Sequence, residues 1–248
     1  MLDIKEITMD HHKNAERQEF VKILMSGSID HKLYATYLYN QFQCYSVLEK
    51  YGLHNSLFRD TPNLLRAEHI LYDFKSFEID TPEITESTKK YIEHIETIQD
   101  EAMKLYAHIY VRHLGDLSGG QMIRRKTPGP NRYYKFKDKE VGEYRRIVKE
   151  TINTYLNVYE HSVLPEANYC FESATKLFKE IVWSAWVRNF TNTQYVSNAW
   201  IYKFKSANYN PVSYDAFSNK ESVGGRYNLI GAFPQAGINF FTGLILKF

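Results

Sequence analysis

Apolar residues recur every three to four positions through most of the first 190 residues, the period of a helix with one buried face. This pattern predicts helices over 10–26, 30–51, 62–77, 84–98, 100–126, 140–157 and 165–190. Breakers separate them at Ser26-Gly27, Gly52, Thr61-Pro62, Thr81-Pro82, Thr127-Pro128-Gly129-Pro130 and Leu164-Pro165. No strands alternate with these helices, and no repeat or heptad run is present, so the expected fold class for 1–190 is an all-α multi-helix bundle. The pattern changes near 191: charged residues number 7 of the last 58 against 53 of the first 190, while glycine and aromatics increase. Segments 226–233 and 238–246 carry strand patterning and could form a hairpin; docking on the bundle, contact with a partner or disorder are the other readings. The chain is therefore divided into 1–190 and a C-terminal extension, 191–248, to which no function is assigned.

The most informative stretch is Tyr110-Val111-Arg112-His113-Leu114-Gly115-Asp116-Leu117-Ser118-Gly119-Gly120-Gln121. Helical spacing runs up to it and resumes after it, so three glycines interrupt a helix. Each costs roughly 1 kcal/mol relative to alanine, making a weak point where the helix can kink. Arg112, Asp116 and Gly119 or Gly120 fall at i, i+4 and i+7 or i+8, which puts a cation, an acid and bare backbone on one face. A flat ligand could approach there. The plainer reading is a helix that ends in a glycine cap at Ser118-Gly119-Gly120.

The string LSGGQ also occurs in ATP-binding-cassette ATPases, but their phosphate loop, G-x-x-x-x-G-K-[ST], is absent. The longer string LGDLSGGQ resembles the distal-helix signature of the haem oxygenase family. A second segment agrees: His12, Ala15, Glu16, Glu19 and Phe20 resemble that family's proximal-helix pattern H-x-x-A-E-x-x-E-F, with His12 at the iron-ligating position and Glu16 at that of its carboxylate partner. Periodicity separates the adjacent histidines, since His12 shares a side with Met9, Ala15, Glu16, Phe20 and Ile23, whereas His11 projects toward Ala15, Gln18 and Lys22. Further matches are Arg66 and Asp73, expected to be structural, and the closing-helix segment Glu166 to Phe171 followed by Lys176 to Glu180. The resemblance spans roughly residues 3–185. Departures are His113 for a tyrosine, and Val141 and Met9 where lysines are common, which bear on the propionate clamp rather than the iron site.

The resemblance implies a haem oxygenase-like bundle with a kinked distal helix, and haem as both substrate and cofactor, cleaved with O2 to biliverdin, carbon monoxide and ferrous iron. His12 would be the axial ligand, supported by Glu16. Lys5, Arg145 and Tyr110 would receive the propionates, and Phe171 would line the haem site. Asp116 would anchor water and relay protons, Arg112 and Tyr45 would orient that water, and Gly115 and Gly119 would supply room and a backbone N–H. Reduced ferredoxin or a reductase is the expected electron donor. A non-catalytic haem carrier or sensor on the same fold is the alternative, although it has no evident use for Asp116 beside Gly115 and Gly119. A di-iron protein would need E-x-x-H pairs, absent from all nine histidines. A thiamine-degrading relative would need an activated cysteine.

Composition narrows the rest. The net charge of +2 gives no electrostatic case for nucleic acid, and Arg124-Arg125-Lys126 suits a helix C-terminus. Cys44 and Cys170 lie in apolar helices without C-x-x-C or metal spacing, so neither a disulfide framework nor a structural zinc is expected, and a reducing cytoplasm is the natural setting. Residues 1–6 carry acids and no apolar core of a signal peptide. Residues 233–248 are too short and too interrupted by Pro234, Gly237 and Gly243 to span a bilayer. Peripheral contact of that apolar end with a membrane stays open as a minor reading.

Overall fold

The computed structural model describes residues 2–183, 196–205 and 226–234, and the chain divides into two compact units, Met1–Ala185 and Trp186–Phe248. The first unit is helical: α1 Ile4–Ile7, α2 Met9–Glu16, α3 Glu19–Met25, α4 His31–His54, a 3-10 turn Pro62–Leu64, α5 Ala67–Lys75, α6 Glu86–Thr97, α7 Ala102–Arg124 and α8 Asp138–Trp183.

Local chemistry sets the helix starts. Asp30 accepts the Leu33 amide at 3.0 Å to begin α4, and Thr85 caps α6 through the Thr88 amide. Helix α5 takes its cap from a distance: the buried carboxylate of Glu49, on α4, accepts the amides of Arg66 and Ala67, placing negative charge where the helix dipole favours it.

Three helix boundaries differ from the sequence expectation in ways that shape the site, and the break expected at Gly52 is absent, since α4 runs through it to His54. The segment 10–26 is two helices, because Gln18 is extended (ψ 147°) and its side chain turns back to the Asn14 carbonyl at 2.8 Å. Phe20 and Ile23 are thus on α3, not on the helix of His12. The segment 62–77 is broken at Leu65, whose ψ of 132° is incompatible with a helix. The third difference is in α8, which includes Pro165 but departs from helical dihedrals at Tyr159 (φ −132°, ψ 43°). A proline ring crowds the carbonyl four residues before it, and the chain yields on that upstream side rather than at Leu164-Pro165.

Two apolar clusters form the core. One gathers Leu48, Leu105, Val148, Leu156 and Ala167. The other gathers Phe20, Tyr34, Leu38, Tyr45, Ile70, Tyr133 and Tyr134. Seven tyrosines, at 34, 37, 45, 91, 106, 133 and 134, are almost fully buried, a polar content on which the site below draws. Cys44 and Cys170 are buried and free. Among the described residues no helix is long and apolar enough to cross a membrane.

In the second unit, β1 Val196–Lys205 pairs antiparallel with β2 Arg226–Pro234, from Val196 opposite Pro234 to Lys205 opposite Arg226. The expected strand at 226–233 is present, but its partner is 196–205, where Trp200, Tyr202 and Phe204 alternate at the two-residue period of a strand. The other expected segment, 238–246, lies outside the described residues.

Candidate functional site

The three glycines of α7 have different duties. A Cβ on Gly115 or Gly119 would meet nothing within 4 Å, whereas one on Gly120 would stand 2.6 Å from Cδ1 of Tyr134. Gly115 and Gly119 leave bare backbone facing open space, and Gly120 makes room for a core ring. None adopts positive φ, and α7 is helical through all three, so the glycine-cap reading fails.

The open space is a cleft. Two cavities of ≈ 440 and ≈ 510 Å³ share His12, Val111, Gly115, Ser118 and Phe171 as walls. Lys5, Thr8, Met9, Tyr110, Leu114, Arg145 and Lys149 complete the first. Glu16, Gln41, Tyr45, Arg112, Asp116, Gly119 and Tyr133 are among the walls of the second. Every site residue expected from sequence therefore borders this cleft.

His12 stands on α2 with its side chain half exposed and its ring edge-on to Phe171, 5.7 Å between centroids. Its Nδ1 is 3.5 Å from Oε2 of Glu16, one turn on. A carboxylate there favours a proton on Nδ1, and Nε2 is then the nitrogen available to a ligand. His11 instead approaches Glu172 at 3.9 Å and is not part of the cleft wall.

Opposite, the Tyr45 hydroxyl donates to Oδ2 of buried Asp116 at 2.5 Å, and the Tyr133 hydroxyl donates to Tyr45 at 3.1 Å. Burial raises the Asp116 carboxyl to about 7, although the Tyr45 and Tyr133 hydroxyls and the charges of Arg66 and Arg112 pull the other way. An acid so poised exchanges its proton near neutral pH. Arg112 is buried over the rings of Tyr91, at 4.1 Å, and Tyr45, at 5.6 Å, and donates from Nη1 to Gln41 at 2.9 Å. Its Nε is buried without a partner among the described residues.

Tyr133 was not expected from sequence. It is delivered by a loop that Asp73 and Arg66 hold. Asp73 accepts the amides of Arg132 and Tyr133 at 2.9 and 2.8 Å. Arg66 donates to the carbonyls of Leu65, Tyr133 and Lys135 and stacks on Phe136. Their structural role is thus the positioning of a tyrosine beside the acid. His113 packs behind Tyr45, 4.9 Å between rings, with Nε2 3.0 Å from Glu49. Lys149 and Gln41 were also missed. Lys149 is one turn beyond Arg145 on α8, a spacing that was available as a signal. Val141 is packed against the core and does not line the cleft.

The first cavity carries three cations, Lys5, Arg145 and Lys149, and Arg145 has a buried Nε with no partner among the described residues. A cleft with an imidazole on one wall, bare helix backbone on another and, at one end, cationic groups without a carboxylate partner among the described residues fits a flat anionic macrocycle such as haem.

A family model described as "Heme oxygenase" matches residues 2–180. A haem oxygenase of Guillardia theta is 31% identical over 212 residues, covering 77% of this chain and 89% of that protein. One of Porphyra purpurea is 29% identical, covering 72% and 85%. Among solved structures, haem oxygenase from Leptospira interrogans superposes with a TM-score of 0.64 at 25% identity, over 71% of this chain and 97% of that one. Haem oxygenase-1 from the cyanobacterium Synechocystis, determined in complex with haem, gives 0.62 at 23% over 73% and 93%, a likeness of fold. With its glycine-faced cleft, and with a family match that runs from α1 almost to the end of α8, this chain belongs to the haem oxygenase family.

Proposed function

We propose that this protein opens haem at a meso carbon with O2, giving biliverdin, carbon monoxide and ferrous iron, with electrons from reduced ferredoxin or a reductase in the cytoplasm. Haem supplies the iron at which dioxygen is activated and the porphyrin that is cleaved. His12 would hold that iron through Nε2, with Glu16 keeping the proton on Nδ1 and Phe171 bracing the ring. Lys5, Arg145 and Tyr110 would receive the propionates, and Lys149 adds a cation to that end of the cleft. Gly115 and Gly119 give the macrocycle room against α7, where a methyl group would intrude, and Gly119 could offer its backbone N–H.

Asp116 is the group that makes the site more than a haem holder. Its carboxyl titrates to about 7, so at neutral pH it can both accept a proton and return one, to water or to a substrate oxygen in the second cavity. Tyr45 fixes the carboxylate, Tyr133 fixes Tyr45, and Arg112 sets the field beside them without needing to titrate. The single observation that carries the reading is this buried acid, hydrogen-bonded at 2.5 Å to Tyr45 in a wall shared with two open-faced glycines. A carrier or sensor has no use for it.

The test adds haemin to the purified protein, then reduced ferredoxin in air, following the Soret band and a bilin identified by chromatography. Wild type should lose the Soret band and yield biliverdin. Asp116→Ala should bind haemin but form biliverdin about 10²–10⁴-fold more slowly. Normal turnover by that variant would remove the proton-relay role, and a stable wild-type complex that never turns over would favour the carrier.

A further inference from the structure

A second cluster of ligating side chains lies outside the cleft. His94 on α6, His108 on α7 and Glu166 in the later part of α8 each offer one atom, all within 4.8 Å of one another. Nε2 of His94 is 2.6 Å, and Nε2 of His108 3.0 Å, from the same oxygen, Oε2 of Glu166. None of the three borders either cavity, and the proposed reaction makes no use of them.

Two imidazole nitrogens and a carboxylate oxygen gathered within 4.8 Å are the donor set of a divalent first-row metal site. Tetrahedral ligands at metal distances of 2.0–2.2 Å stand about 3.3–3.6 Å apart, so each imidazole nitrogen would draw back from Oε2 by about 1 Å or less, the two nitrogens staying within the 4.8 Å that now bounds their separation. The surroundings suit one. His108 is fully buried, so its ring is held in place by the core around it. The Tyr91 hydroxyl lies 3.1 Å from Nδ1 of His108. A proton on Nδ1, given to that oxygen, would leave the Nε2 lone pair directed at the cluster. The Tyr169 ring packs on His94 with centroids 4.0 Å apart and fixes its plane. His94 is one quarter exposed, which gives a cation its way in.

We propose that His94, His108 and Glu166 bind one first-row divalent cation of the Zn2+ class, tying α6, α7 and α8 together and leaving a fourth position to water. The full, tag-free, chelator-stripped and haem-free chain would be titrated with Zn2+ by calorimetry and thermal unfolding, with Co2+ as a spectroscopic probe. The expected result is one Zn2+ per chain, a Tm raised by about 5–10 °C at a hundredfold excess over Kd, and the visible absorption of low-coordinate Co2+.

His94→Gln keeps an N–H for Glu166 but lacks the imidazole, so it should fold, bind haemin as wild type does and lose the Zn2+ site. His12→Gln should keep it. Absence of Zn2+ binding overturns the proposal, leaving the cluster a hydrogen-bonded latch. Binding that survives His94→Gln but is lost in His12→Gln overturns it too, because the cation then sits with His12 and Glu16.

Discussion

Replacing the adjacent residues Gly119 and Gly120 by alanine should have opposite effects on stability. Alanine gains about 0.5–1 kcal/mol over glycine inside a helix, through lower backbone entropy in the unfolded chain. At Gly119 the new methyl meets nothing within 4 Å, so Gly119→Ala should raise the Tm of the haem-free protein by about 1–4 °C. At Gly120 the methyl would stand 2.6 Å from Tyr134, and that ring cannot easily move. It stacks on Tyr133 at 4.1 Å, its hydroxyl meets Tyr37 at 3.3 Å, and Gln121 donates to its carbonyl at 2.9 Å. Overpacking of about 2–3 kcal/mol, less the helix gain, leaves Gly120→Ala about 1–2 kcal/mol less stable than wild type. The two variants should thus differ by about 2–3 kcal/mol in urea unfolding. Ligand binding reverses the order: a methyl at 119 enters the cleft, so Gly119→Ala should bind haemin tenfold or more weakly in a Soret titration, about 1.4 kcal/mol, despite its greater stability. Equal destabilisation by the two variants, or unchanged haemin affinity in Gly119→Ala, would refute the assignment of these faces.

Two further outcomes follow from the buried acids. With Asp116 raised from 3.8 to about 7 on folding, the folded chain binds its proton more tightly than the unfolded one. The resulting stability is complete below pH 4 and is lost as pH rises through 7, an effect of about 3–5 kcal/mol. Asp116→Asn should therefore raise the Tm of the haem-free protein by more at pH 8 than at pH 5, the difference being smallest below pH 4; a gap that does not widen with pH would show that the carboxyl titrates normally. Asp73→Ala strands the amides of Arg132 and Tyr133, at a cost of about 2–4 kcal/mol in thermal unfolding. The displaced Tyr133 should also slow turnover more than it weakens haemin binding, and equal losses in both would argue against its place beside Asp116.

The parts of the site legible in the sequence lie close together along one helix. Arg112, Asp116 and Gly119 recur at turn spacing on α7, and His12 and Glu16 do so on α2, so periodicity alone places each set on a face. Boundaries set by tertiary contacts were not legible. Gln18 interrupts 10–26 without proline or glycine nearby, and Glu49 starts α5 from another helix. His94, His108 and Glu166 come from three helices and share no spacing. The later strand at 226–233 was visible in its patterning, whereas its partner 196–205 lies about twenty residues upstream, too far for a two-residue hairpin turn to announce the pairing.

What makes Asp116 chemically useful lies still further from its motif. A carboxylate at the end of a helical Arg-x-x-x-Asp pair would ordinarily be held ionised by its arginine one turn away. Here Arg112 donates to Gln41 and is cradled over Tyr91 and Tyr45, so it acts on the acid through space rather than by a direct bond. The hydrogen bond Asp116 does receive comes from a neutral hydroxyl, Tyr45, which stabilises a carboxylate less than a cation does. Burial therefore prevails and lifts the carboxyl to about 7. The residues responsible, Gln41, Tyr45, Tyr91 and Tyr133, come from α4, α6 and a loop clamped by Asp73. The motif supplies the acid, and the packing of the rest of the bundle supplies its acidity.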